Sequence, residues 1–336
     1  MESVRNLLRQ EATVYPAFFE AHVRRGIEAY HTQKQQTEEG IGFFFITDIH
    51  IHLNGRASVP LILKIGNETG VDTVLCGGDH CWAFGSKAQC LKDFDDSLRY
   101  MDPIRDSMKL YHARGNHDCT IKSSFGLNTG YTLPYTVLQQ TFQDHSTPAD
   151  GAVEGKLYYY ADDAKAMVRY IILDTSEPQL SEDTAWGVQE TMEKEQLSWL
   201  AQTALQLPGE EWTAIVMGHI PCCPEIPGYA AGLNDLRLIL EAFQHKTACA
   251  YGDFQSAQGE LAAYLCGHNH KDASVFFNGV LHISTGCDAY CKDDIWPRDV
   301  GCIQNTLFDL FLLDKKNKTL RTFRIGAGED RVFSYR

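Results

Sequence analysis

Five short, turn-flanked clusters of carboxylate, amide and imidazole side chains recur along this chain. They are Asp48-Ile49-His50, Gly77-Gly78-Asp79-His80, Gly115-Asn116-His117-Asp118, Gly218-His219-Ile220-Pro221 and Gly267-His268-Asn269-His270. Hard oxygen donors mixed with imidazoles suit borderline metals such as Zn, Mn and Fe. Asp48 and His50 are separated by one residue, so extended backbone turns both to one side; His268 and His270 share that spacing. Most clusters follow an apolar run, which places each polar side chain just past the end of a buried strand, where several such ends can share a rim. A single acid–imidazole pair would mean little, but five clusters in this arrangement point to a metal site.

The intervening sequence supplies the elements that would position them. Short apolar runs read as buried strands at 41–46, 71–76, 109–113, 168–174, 212–217, 261–266 and 280–284, and helical spacing lies between them at 59–68, 87–101, 194–205 and 234–243. Strands alternating with helices argue for βαβ units with parallel pairing. Beyond Asn269 the pattern becomes short strands and turns, at 273–277, 279–284, 307–313 and 319–325, which reads as a more antiparallel sheet. Residues 1–38 have helix-compatible spacing, with Pro16 opening a second helix. This gives an N-terminal helical extension at 1–38 and one compact domain at 39–336. The stretch 119–154 lacks clear strand periodicity; directly after Gly115–Asp118, it is either a border of the substrate cleft or a plain surface excursion.

Composition narrows the function. The chain has 336 residues, 44% hydrophobic and 22% charged, as in an ordinary globular protein. Its formal net charge of -14 argues against a nucleic acid or an anionic membrane surface as partner. No apolar run approaches the length of a membrane span, and the opening residues lack the apolar core of a signal peptide. The eleven cysteines are therefore expected to be reduced thiols, mostly small buried hydrophobes, in a cytoplasmic protein.

The clusters D-x-H, G-D, G-N-H-D, G-H and G-H-x-H, in this order over residues 48–270, resemble the motifs of the calcineurin-like metallophosphoesterases. The second motif is the loosest match: Trp82 stands where the purple acid phosphatase subgroup has a tyrosine ligand. The resemblance implies an α/β fold, a four-layer α/β/β/α sandwich with two mixed β-sheets and the metal site at the strand C-terminal rim. It also implies two divalent or trivalent transition-metal ions (Mn, Fe or Zn). Asp48, His50 and His270 would hold one, Asn116, His219 and His268 the other, and Asp79 would bridge them. A bridging ligand must offer two oxygens, which a carboxylate does and an imidazole cannot. His117 is then left without a metal and placed as a general acid, with Asp118 expected to orient it.

The expected activity is hydrolysis of a small-molecule phosphoester by metal-bound hydroxide, with a phosphodiesterase favoured because no arginine cluster stands ready for a monoester dianion. A phosphomonoesterase and a non-catalytic metal-binding scaffold are the alternatives. Elsewhere the blander readings hold. His22, His31, His112, His145, His245 and His282 read as ordinary polar residues, and Trp186, Trp199 and Trp212 as packing residues. His52 and His80 are candidates to support the ligands, and Asp288, Tyr290 and Trp296 to reach the site mouth.

Overall fold

The computed structural model describes residues 15–51, 56–82, 86–118, 120–122, 128–132, 135–177, 190–289 and 301–336. His52, Cys119, Trp186, Tyr290, Cys291 and Trp296 lie outside the described residues, as do the first fourteen.

The elements in chain order begin with α1 (Glu20–Gln35), β1 (Gly40–Ile46), α2 (Ser58–Thr69), β2 (Thr73–Cys76), α3 (Lys87–Arg105) and β3 (Lys109–His112). Next come β4 (Thr120–Lys122), β5 (Asn128–Thr132), α4 (Tyr135–His145), β6 (Tyr159–Asp163), β7 (Val168–Ile172), α5 (Lys194–Trp199) and β8 (Thr213–Met217). The chain closes with α6 (Asn234–His245), β9 (Ala248–Cys249), β10 (Gly252–Asp253), β11 (Glu260–Cys266), β12 (Ala273–Phe277), β13 (Val280–Ser284), β14 (Leu307–Asp314), β15 (Thr319–Gly326) and β16 (Arg331–Ser334).

Two six-stranded mixed sheets result, ordered β16-β15-β14-β1-β2-β3 and β12-β13-β11-β8-β7-β6. β1, β2 and β3 pair in parallel, as do β7, β8, β11 and β13. The late antiparallel strands do not make a sheet of their own. β14 pairs with β1 across the whole length of the chain and extends the first sheet. Strand periodicity is local and carries no information about a partner so far away.

Alternation along β1 explains the layering. Phe43 and Phe45 point between the sheets, against Ile172, Ile215, Met217, Leu265 and Phe311, while Phe44 and Ile46 point outward under the helices. Both faces are buried, so the run Gly42–Ile46 is almost continuously apolar. Ile171, Val216 and Leu261 cover the outer face of the second sheet beneath α6 and the 194–205 segment. The four-layer α/β/β/α sandwich is thus built. Among the described residues, no helix is long and apolar enough to cross a membrane.

Two segments differ from their sequence reading. The helix expected at 194–205 becomes a π-helical turn at Leu200–Ala204. The 119–154 stretch holds the β4–β5 hairpin and α4, where Leu138 and Phe142 are the buried apolar residues, too few to announce a helix by periodicity.

α1 packs directly on the first sheet. Val23, Ile27 and Tyr30 line one helical face and, with Phe19, join the cluster formed by Leu310, Leu312, Phe323 and Ile325. Gly42 makes this approach possible, since a Cβ there would run into the Tyr30 hydroxyl and Val71. Phe19 is fully buried, so Phe19→Ala should cost about 3–5 kcal/mol in urea unfolding. A loss below about 1 kcal/mol would instead mark α1 as a separable extension.

Candidate metal centre

Each ligand cluster lies just past the end of a parallel strand: Asp48 after β1, Asp79 after β2, Asn116 after β3, His219 after β8 and His268 after β11. The two sheets bring these ends to one rim. Asp48 Oδ1 lies 3.3 Å from His270 Nε2 and 3.9 Å from His50 Nε2. Asp79 Oδ2 lies 3.2 Å from His219 Nε2, 3.9 Å from His50 Nε2 and 4.0 Å from His117 Nε2. Asn116 Oδ1 lies 3.1 Å from His219 Nε2 and 2.8 Å from His268 Nδ1. All seven expected metal-facing side chains therefore converge, with Asp79 between two groups. Ligand atoms of Asp48, His50, Asp79 and His270 fall within 4.8 Å of one another.

The donor set suits cations. Asp48 Oδ1 and Asp79 Oδ2 are buried and have no hydrogen-bond partner among the described residues. Buried acceptors left in this way are costly unless a positive charge sits against them. His50 Nε2 and His270 Nε2 face each other at 3.1 Å, two nitrogens that need a proton or a metal between them.

Tautomers are set from behind. The carbonyls of Cys81 and Gly77 can only accept, so His50 donates from Nδ1 at 3.0 Å and His219 from Nδ1 at 2.8 Å. When neutral, both rings then present the Nε2 lone pair toward the centre.

Electrostatics follow this packing. Burial pushes His50 down to about 3 and His268 down to about 4. Burial alone would raise the Asp48 carboxyl, but His270 beside it brings it down to about 2. Burial opposes a proton on His219 too, yet the Asp79 carboxylate lifts that imidazole to about 9. Burial also works against the Asp79 charge, and His219 and His117 hold its carboxyl well below the ordinary range.

Asp118 was expected beside the His117 ring and is found elsewhere. Its Oδ2 accepts from the backbone N–H of Gly115 at 2.8 Å and of Asp79 at 3.0 Å, and from His80 Nδ1 at 3.0 Å. Its Oδ1 accepts from His80 N at 2.7 Å. Asp118 thus staples the Asp79 turn to Gly115, where a Cβ would strike the Asp79 carboxylate. The His117 ring is placed by other groups. Nδ1 donates to the Trp82 carbonyl at 2.7 Å, the ring stacks on the Trp82 indole at 5.1 Å and 10°, and the backbone N–H donates to Asp79 Oδ1 at 2.8 Å.

Other residues near the centre owe their places to contacts that local motifs do not carry. Asp288, expected near the mouth, is fully buried and accepts from Ser58, Thr306 and the backbone of Leu307. Cys287 Sγ lies within 4.8 Å of ring nitrogens of His50 and His270. Arg114 pairs with Asp174 at 2.7 Å behind Asn116, and Arg324 grips Asp272 behind His270. The second residues of these pairs lie 60 and 52 positions away from the first, beyond any local motif.

Two outcomes follow. Asp118→Asn turns an amide NH2 toward backbone donors whichever way it flips, so it should lower stability by roughly 3–5 kcal/mol in urea unfolding. A loss under 1 kcal/mol would remove the staple from this account. Below the raised His219 value of about 9 the metal-free site holds a proton that an incoming cation must displace. Apparent Mn or Zn affinity should therefore rise about tenfold per pH unit from pH 6 and level off near pH 9. Chelator competition measures it, and a flat profile would contradict the linkage.

Comparison with known proteins agrees with this geometry. Residues 41–272 match the model of the calcineurin-like phosphoesterase family. A dimetal phosphatase from Danio rerio is similar in structure, with a TM-score of 0.59 and 15% identity over 88% of this chain and 99% of that one. A phosphopantetheinyl hydrolase from Mycobacterium tuberculosis aligns with a TM-score of 0.36 and 12% identity, over 74% of this chain and 90% of that one. No curated protein sequence matches the chain. With five post-strand clusters on one rim and a family match over most of its length, the chain belongs to the calcineurin-like phosphoesterases.

Proposed function

We propose that this protein hydrolyses phosphodiesters of small molecules at a dinuclear metal centre. Asp48, His50 and His270 would hold one ion, Asn116, His219 and His268 the other, and Asp79 both. The observation that carries this reading is the pair of buried, unmatched oxygens, Asp48 Oδ1 and Asp79 Oδ2, set among imidazole nitrogens. Two bound transition-metal ions would polarise the phosphoryl oxygens and acidify the attacking water.

The chain's own groups do the remaining work. The neutral amide of Asn116 keeps the anionic ligands to two carboxylates, so positive charge remains for an incoming phosphate. His117 carries a proton on Nδ1, fixed by the Trp82 carbonyl, and turns Nε2 toward Asp79. As the doubly protonated imidazolium it would give its Nε2 proton to the departing oxygen and keep the one on Nδ1. The diester preference rests on Arg114, the arginine adjoining Gly115-Asn116. Its guanidinium is committed to Asp174 and the Ser176 carbonyl, so it is not offered as a clamp for a monoester dianion.

The test compares bis(p-nitrophenyl) phosphate with p-nitrophenyl phosphate on metal-stripped and Mn-reloaded protein. Activity should vanish on stripping, return with metal and favour the diester. His117→Ala should lower the rate about 10²–10⁴-fold on a diester with an alkyl leaving group, and less on the aryl diester. Faster monoester cleavage would reverse the substrate assignment, and activity that survives Asp79→Ala would end the two-metal reading.

A further inference from the structure

β3 and β6 are the neighbouring edge strands of the two sheets. They are joined where the Tyr159 hydroxyl donates to the His112 carbonyl at 2.9 Å and accepts from its N–H at 2.8 Å. Beside this junction, α4 and the following segment 146–158 enclose a cavity of ≈ 310 Å³. Its apolar wall includes Phe142, Pro148, Ala149, Ala152, Val153 and Leu157. That volume lies at the small end of ligand pockets, which begin at about 300 Å³. No proposed metal ligand lines it.

One wall carries a buried imidazole. His112 is 2% exposed and lines the cavity, and its Nε2 closes no well-aligned hydrogen bond among the described residues, although the His145 backbone lies near enough to favour a proton on the ring. Its other nitrogen, Nδ1, lies 2.8 Å from His80 Nε2. His80 in turn meets Asp118 through Nδ1, and Asp118 holds the backbone N–H groups of Asp79 and Gly115. A continuous hydrogen-bonded chain therefore runs from the cavity wall to the turn that carries Asp79.

The ligand chemistry follows from the lining. The two charged side chains at the cavity are already paired, Lys156 with Glu195 and Arg114 with Asp174, which favours a neutral guest. Whichever imidazole carries the proton between His80 and His112, a carboxamide can answer Nε2, because it offers both an acceptor and a donor. We propose that this cavity binds a small neutral carboxamide with an apolar body, pairing with His112, and that its occupancy is felt at the Asp79 turn through His80 and Asp118.

Benzamide is the probe, added to the full metal-loaded chain and followed by saturation-transfer NMR and by the ring ¹⁵N resonances of histidine-labelled protein. Benzamide should bind, and the His112 and His80 ring signals should move. Val153→Trp and Ala149→Trp, two independent obstructions of the wall, should each weaken binding about tenfold or more. Toluene, which lacks the amide, should bind more weakly and leave the His112 signal in place. Absence of benzamide binding, binding unchanged in both variants, or binding with static His112 and His80 signals would overturn the proposal. None of these readouts depends on phosphoester hydrolysis, so failure here leaves the assignment of the metal centre untouched.

Discussion

The constraint on which the site depends is left-handed backbone at five of the residues that converge there. Asp48, His50, Asp79, His268 and His270 all have positive φ, between 38° and 75°. Each costs roughly 1 kcal/mol or more relative to ordinary backbone, although Asp and His tolerate the region better than most residues. The gain is directional. Leaving a strand through left-handed geometry turns a side chain away from its normal alternation and back across the strand end, so residues from both sheets reach the same volume. Such strain persists only where the surrounding structure holds it in place.

The surroundings do so with buried charge. Behind Asp79 stands the Asp118 carboxylate, and behind Asn116 the Arg114–Asp174 pair. Behind His270, Asp272 is gripped by Arg324, which also meets Asp309 at 2.8 Å while Asp272 accepts from the Gly286 N–H. At the end of β1, the backbone N–H groups of Asp288 and Ala289 donate to the carbonyls of Thr47 and Asp48. Arg324 and Asp309 are 0% exposed. Ions at that depth seldom add net stability over apolar packing, but removing one partner is severe. We read them as devices that fix one loop conformation, which hydrophobic contacts alone would leave less determined.

What could be read in the amino-acid chain follows the reach of each interaction. The meeting of the five polar clusters at one rim was legible because a strand, a turn and a polar pair are all local, and the alternating elements were legible for the same reason. The anchors were not. Arg324 is an ordinary strand residue until β15 pairs with β14 and brings Asp309 beside it. Cys287 comes to His50 and His270 only because β13 lies parallel to β11 and carries the following loop there. Asp118 was misplaced because adjacency in sequence suggested adjacency of side chains. The turn at Gly115–Asp118 instead sends the carboxylate back onto the peptide N–H groups of residues 79 and 80.

That misplacement has a chemical logic. A carboxylate hydrogen-bonded to an imidazole stabilises the protonated ring and so makes it a more reluctant acid. A backbone carbonyl at the same position fixes the tautomer and the ring direction while adding no net charge. His117 has the Trp82 carbonyl, and His80, which lies behind the centre, has the carboxylate. The protein thus places its charged partner where a firmly held proton braces the fold, and its neutral partner where, in the proposed reaction, a proton would be given up. For a ring proposed as a general acid beside the Asp79 carboxylate, the neutral support would leave proton release to the reaction.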